Sequence, residues 1–248
     1  MAFYHDLPDR EPPLVVSAAR RWLYAVGGHF TFCVCMGAAH SVSILPCAVL
    51  THLFIKMGGI VFLIAAVISA GLSGAVWTAV HRMSWELQFQ FPVYLFRELW
   101  KHFCSNFRQG YCMGVIMGLL CAFITLPLYL AELFQKALPF GIVCLMGITA
   151  LLLPVISAYA YYQIMRWELT VIAAIKNSVL LLFSMSWRSV VVCVIWIAFA
   201  LALLSIGQIV VPVCFLCGLT VILCITEQTF IAPQIDAIMH EANIDLIN

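Results

Sequence analysis

Tyr94–Arg108 reads YLFRELWKHFCSNFR and lies between two long apolar runs. Phe96, Leu99, Trp100, Phe103 and Phe107 recur at helical spacing on one face, and Arg97, Glu98, Lys101, Ser105 and Arg108 fall on the other. A helix divided in this way can neither cross a bilayer nor sit comfortably in bulk water. It belongs at the membrane interface, with its rings in the acyl boundary and its cations toward the headgroups. The rest of the chain reads as membrane spans placed around this segment and around a weaker copy of it.

Composition supports that reading. Hydrophobic residues make up 65% of the 248 positions and charged residues 9%, with a mean hydropathy of +1.07. A soluble domain is about 45–50% apolar and about 25% charged, so lipid must be the solvent for most of this chain. The apolar runs are long and continuous. That favours helices of about 20 residues over barrel strands of about 10 alternating residues. The expected fold is therefore all-α, a polytopic transmembrane bundle of about six spans with two cytoplasmic interfacial amphipathic helices.

The spans are expected at about 23–50, 58–80, 110–132, 139–165, 189–205 and 207–231, with interfacial linkers at 82–109 and 166–188. A proline-broken cytoplasmic leader (1–22) precedes the 23–231 bundle, and a polar, acidic tail (232–248) follows it. Two small-residue features predict close helix packing: the cluster Ser69–Ala75, and Gly110, Gly114 and Gly118 at four-residue spacing. With both linkers and both termini on one side, that side holds Arg10, Arg20, Arg21, Arg82, Arg97, Lys101, Arg108, Arg166, Lys176 and Arg188. Lys56 and Lys136 remain on the other. The excess of cations assigns the termini and linkers to the cytoplasm of a multi-pass inner-membrane protein. The two linkers open alike, on Trp85-Glu86-Leu87 and Trp167-Glu168-Leu169, which suggests an internal duplication.

Few residues offer chemistry. His29 and His40 are eleven apart in the first span, a spacing that puts both on one helix face. Glu227 is the single carboxylate within an apolar run. These three form the candidate intramembrane polar site, since ionisable groups within membranes are often functional. Arg97, Lys101, Arg108 and Trp100 are the candidate lipid- or partner-binding residues. Cys214-x-x-Cys217 has the spacing of half a zinc or redox site but lacks a second pair. The eleven cysteines read as reduced and structural. No Walker A, GxSxG or HExxH motif occurs, so no catalytic residue, metal or cofactor is expected. The few basic residues lie close to the membrane, which argues against nucleic acid as a partner.

Phe103 followed by Asn106-Phe107-Arg108-Gln109-Gly110 resembles the signature of the YesL-like bacterial membrane protein family. The order of elements also resembles that family from about Ile60 to Ala200: the small-residue run Ser69–Ala75, the basic helix, a span, and later a polar segment with Lys176-Asn177. The resemblance departs in the long, histidine-bearing first span. It implies an accessory role beside a carbohydrate uptake system and supplies no catalytic residues. The expected function is thus a non-enzymatic accessory or assembly subunit, with membrane lipids and a transporter subunit as partners. The alternative is a small transporter or channel that conducts solute itself as an oligomer; it would require a polar cavity reaching Glu227 and a first-span histidine.

Overall fold

The computed structural model describes residues 17–89, 94–184, 186–206 and 218–247. It is a helical bundle of α1 (Ala18–Gly28), α2 (Phe30–Met57), α3 (Ile60–Gln88), α4 (Leu95–Phe134), α5 (Phe140–Trp167), α6 (Val171–Ser184), α7 (Ser186–Ile206) and α8 (Leu219–Ile247). Five of these elements are long and apolar enough to cross a membrane: α2, α3, α4, α5 and the Leu219–Ile238 part of α8. The axes of α6 and α7 differ by 105°, and the pair makes a sixth span if it is counted as one. The chain is thus a helical membrane bundle.

α3 is the hub. It packs along α2 and α4 and also touches α1, α5 and α8. The α3–α4 seam pairs the two small-residue features. A Cβ on Gly74 would lie 2.4 Å from the Gly114 Cα, and one on Gly114 would lie 2.4 Å from the Ala70 carbonyl oxygen. With no side chain between them the backbones touch, and dispersion rather than water exclusion holds the pair together. The α2–α3 hairpin turns on Gly58, whose left-handed φ of 73° lets its N–H close onto the Phe54 carbonyl at 2.8 Å.

Several expected boundaries move. The first span is broken after Gly27-Gly28, where His29 leaves helical geometry at φ −129°. Two consecutive glycines lower helix propensity at that point. α3 continues through the expected linker start to Gln88, because Arg82 is buried, bonded to Glu86 at 3.1 Å and to the Met165 carbonyl at 3.1 Å. The basic segment at 94–108 is helical, and it runs without a break into the following span as one helix of 40 residues. At 1.5 Å per residue that is about 60 Å, roughly twice the hydrocarbon thickness, so part of α4 must lie outside it.

The apolar face of that segment is also divided. Leu95 and Leu99 pack against the buried cluster that includes Val80, Met83 and Leu87 of α3, and His102 turns in to meet Glu86 at 3.2 Å. Phe96 and Trp100 remain 79% and 68% exposed. At the other end, residues 232–238 are not a free tail. α8 continues through Pro233, and Asp236 accepts hydrogen bonds from Tyr162 at 2.9 Å and Trp167 at 3.2 Å. The leader to residue 16, the start of the sixth expected span and Cys214-x-x-Cys217 lie outside the described residues.

The two Trp-Glu-Leu motifs occupy different settings. Glu86 lies within α3, whereas Glu168 ends α5 in a left-handed turn at φ 51°. They do meet in space: the Arg166 guanidinium lies 4.7 Å from the Trp85 ring centroid and 5.5 Å from that of Trp167.

Candidate functional site

The polar heart of the bundle joins α3 to α8. His81, Ser84 and Gln88 recur at helical spacing on α3 and face the run Cys224, Glu227 and Gln228 on α8. All six are at most 4% exposed. Buried polar groups on that scale survive only if they are bonded to one another. Gln228 is the centre of the network. Its amide nitrogen donates to the His81 carbonyl at 3.0 Å and lies 3.1 Å from His81 Nδ1. Its amide oxygen accepts from Gln88 Nε2 at 3.0 Å. Thr229 then donates to Gln88 Oε1 at 3.1 Å.

These bonds settle the His81 tautomer. A backbone carbonyl can only accept, so the face of Gln228 turned to His81 is its NH₂. His81 Nδ1 must therefore accept, and in the neutral ring the proton sits on Nε2. That nitrogen has no hydrogen-bond partner among the described residues and lies 3.7 Å from Glu227 Oε1. The other carboxylate oxygen accepts from Trp196 Nε1 at 2.8 Å.

Ligand atoms of His81, Cys224 and Glu227 lie within 4.8 Å of one another, close enough by distance to hold a metal. The hydrogen bonds argue otherwise. A ligating histidine donates from its second nitrogen to an acceptor, and here that nitrogen faces the donating amide of Gln228. The trio is better described as a carboxylate and an imidazole in close proximity, 3.7 Å apart, each held by other hydrogen bonds.

Next to this pair lies a cavity of about 380 Å³, walled by His40 and Cys47 of α2, Ser73 and Trp77 of α3, Tyr161 of α5 and Trp196 of α7. Its α3–α4 wall is made of Ala70, Gly74, Gly114 and Gly118. The small residues that let the two backbones touch also leave empty volume beside the seam. Three rings separate this space from the polar heart. Trp77 stands between His40 and His81, with centroid separations of 4.4 and 5.0 Å. Tyr161 stacks on His81 at 5.5 Å. Trp196 lines the cavity while its N–H holds Glu227. His40 is buried; its Nε2 lies 3.4 Å from Ser73 Oγ, and its Nδ1 has no hydrogen-bond partner among the described residues.

Of the intramembrane residues singled out by sequence, Glu227 and His40 converge on this site. His29 does not. The break after Gly28 removes the helical register that would align it with His40, and its ring sits between Tyr24 and Phe32 at 5.0 and 5.7 Å. Arg97, Lys101, Arg108 and Trp100 lie exposed along the first turns of α4. Arg97 and Lys101 share Glu98, at 3.0 and 3.6 Å. Exposed pairs of this kind contribute little. The Arg97→Ala/Lys101→Ala double variant is accordingly expected to unfold within about 0.5 kcal/mol of wild type in a detergent melt. A larger loss would show that these cations hold the fold.

Sequence reading missed His81, Gln228, Trp196 and Tyr161. A signal existed in the polar spacing of His81, Ser84 and Gln88, which is that of one helix face. It stood where a span was expected to have ended.

By fold, then, the chain belongs to the multi-pass helical membrane proteins, with a buried carboxylate–imidazole pair beside an intramembrane cavity. No family model, curated protein or solved structure matches the chain.

Proposed function

We propose that the protein is a small solute transporter of the inner membrane that takes its substrate into the cavity between α2, α3, α4 and α5. The observation carrying this reading is the convergence of His40 and Trp196 on that cavity, with Trp196 bonded to the buried Glu227. A conducting protein needs such a polar approach to its intramembrane carboxylate, whereas a bundle serving only as an accessory has no use for one. Ionisable groups kept inside a membrane commonly mark the path of an ion or a substrate. The excess of lysine and arginine on one side of the spans supports a cytoplasmic assignment of both termini on this reading.

The accessory role implied by the YesL-like resemblance keeps one supporting observation. Trp100, Phe103, Phe107 and Tyr111 form a row of rings with centroid separations of 5.2–5.7 Å along α4. Trp100 and Phe107 are exposed and suited to lipid or a partner helix.

Cys47 tests the transport reading directly, because it is half-buried and lines the cavity. In a variant retaining Cys47 as its sole cysteine, reconstituted in nanodiscs, a membrane-impermeant cationic methanethiosulfonate is expected to label that thiol. Labelling by a lipid-soluble maleimide alone would mean that acyl chains fill the cavity, and the transport reading would fall.

A further inference from the structure

The cavity wall has a chemical character that narrows its ligand. Among the described residues no lysine, arginine, aspartate or glutamate lines it, and His40 is its one imidazole. Trp77, Tyr161 and Trp196 supply aromatic surface, which attracts cations through the negative potential of the ring faces. Behind Trp196 lies Glu227, 1% exposed, with the neutral imidazole of His81 at 3.7 Å. A charged carboxylate buried without a fixed cation is costly, so an organic cation held beside Trp196 would supply a counter-charge that no lysine or arginine among the described residues gives Glu227. The indole N–H that donates to it lies at 2.8 Å, so the charge also polarises the Trp196 ring toward the cavity.

An anion entering this space would meet no positive group, since among the described residues no lysine or arginine lines it. A small inorganic cation would need about six oxygen ligands, and this wall is mostly hydrocarbon and ring. A volume of about 380 Å³ lies within the range of small-molecule sites. His40 Nδ1, buried and without a hydrogen-bond partner among the described residues, leaves one polar atom for a ligand's head.

We infer that the ligand of this cavity is a lipophilic organic cation, with Glu227 as its counter-charge behind Trp196. The inference rests on the transport reading and names the substrate class for the same site.

Tetraphenylphosphonium and tetraphenylborate test it, because they share shape and lipophilicity and differ in sign. Equilibrium dialysis against the purified full-length protein in detergent is expected to show saturable binding of the phosphonium, at least about tenfold tighter than the borate. Glu227→Gln keeps an acceptor for Trp196 and removes the charge. It is expected to weaken phosphonium binding about tenfold and leave the borate no weaker. Equal binding of the two ions, or a phosphonium affinity indifferent to Glu227→Gln, overturns the inference. The wild-type comparison decides by itself should the variant fail to purify. If Cys47 labels from water yet the phosphonium is not preferred, the cation inference falls and the transport reading stands. If Cys47 does not label and neither ion binds, both fall.

Discussion

Gly114→Leu is expected to abolish recovery of folded, monodisperse protein, while Gly147→Leu leaves it unchanged. Both glycines lie within spanning helices, and both substitutions raise helix propensity and hydrophobicity. Composition therefore predicts no loss from either. The difference lies in what a side chain would meet. At Gly114 even a Cβ would be 2.4 Å from the Ala70 carbonyl oxygen and 2.9 Å from the α-carbons of Gly71 and Gly74, all of them backbone atoms. Backbone cannot step aside as a side chain can, so α3 and α4 must separate along the seam. Overpacking in a core typically costs about 1–3 kcal/mol and more where backbone must move. At Gly147 nothing lies within 4 Å. Size-exclusion chromatography and a thermal melt of the two variants side by side would check this. A Gly114→Leu protein as stable as wild type would show that the α3–α4 contact is not what holds the bundle.

The second large effect is expected from Gln228→Leu. Leucine matches the size of glutamine and suits an apolar interior, so transfer energetics alone favour it. The network opposes it. Removing the amide strips His81 Nδ1 of its donor and Gln88 Nε2 of its acceptor, while the His81 carbonyl loses a second donor beyond its helical one. Each buried polar group left unsatisfied costs roughly 1–3 kcal/mol. Gln88 keeps a long bond to the Ser84 carbonyl at 3.4 Å, which softens its share. A clear drop in melting temperature is expected, and the double variant Gln88→Leu/Gln228→Leu should recover part of it, because both ends of one bond are then apolar. A loss in the double variant equal to the sum of the two single losses would show that the Gln88–Gln228 bond is not shared. Stability unchanged in Gln228→Leu would mean that the α3–α8 polar seam does not support the fold.

Glu227 shows where sequence reading stops. An acidic residue in an apolar run is visible to anyone, as is His40 in the first span. What neither position can report is its neighbour. Glu227 and His81 are far apart in the chain, and His81-Arg82 read as the polar end of a finished span. The helix instead continues to Gln88, because the Arg82 guanidinium is satisfied inside the protein by Glu86 and the Met165 carbonyl. Burial of an arginine depends on partners that only tertiary folding brings, so a hydropathy profile ends the span too soon. The amphipathic segment at 94–108 shows the complementary case. Its helical period is local and was legible, whereas the inward turn of Leu95, Leu99 and His102 depends on α3 lying beside it.

By itself, then, the sequence determined the solvent of this chain, its helical class, its approximate number of spans and the residues that would pack without side chains. Each of these follows from composition or from a period along one element. Which glycine meets which, where Glu227 finds His81 and Trp196, and that a cavity opens beside the glycine seam were decided by tertiary structure. Those facts concern pairs of residues distant in the chain, and in lipid such pairs are chosen by shape and hydrogen bonding, because hydrophobicity no longer distinguishes one apolar helix face from another.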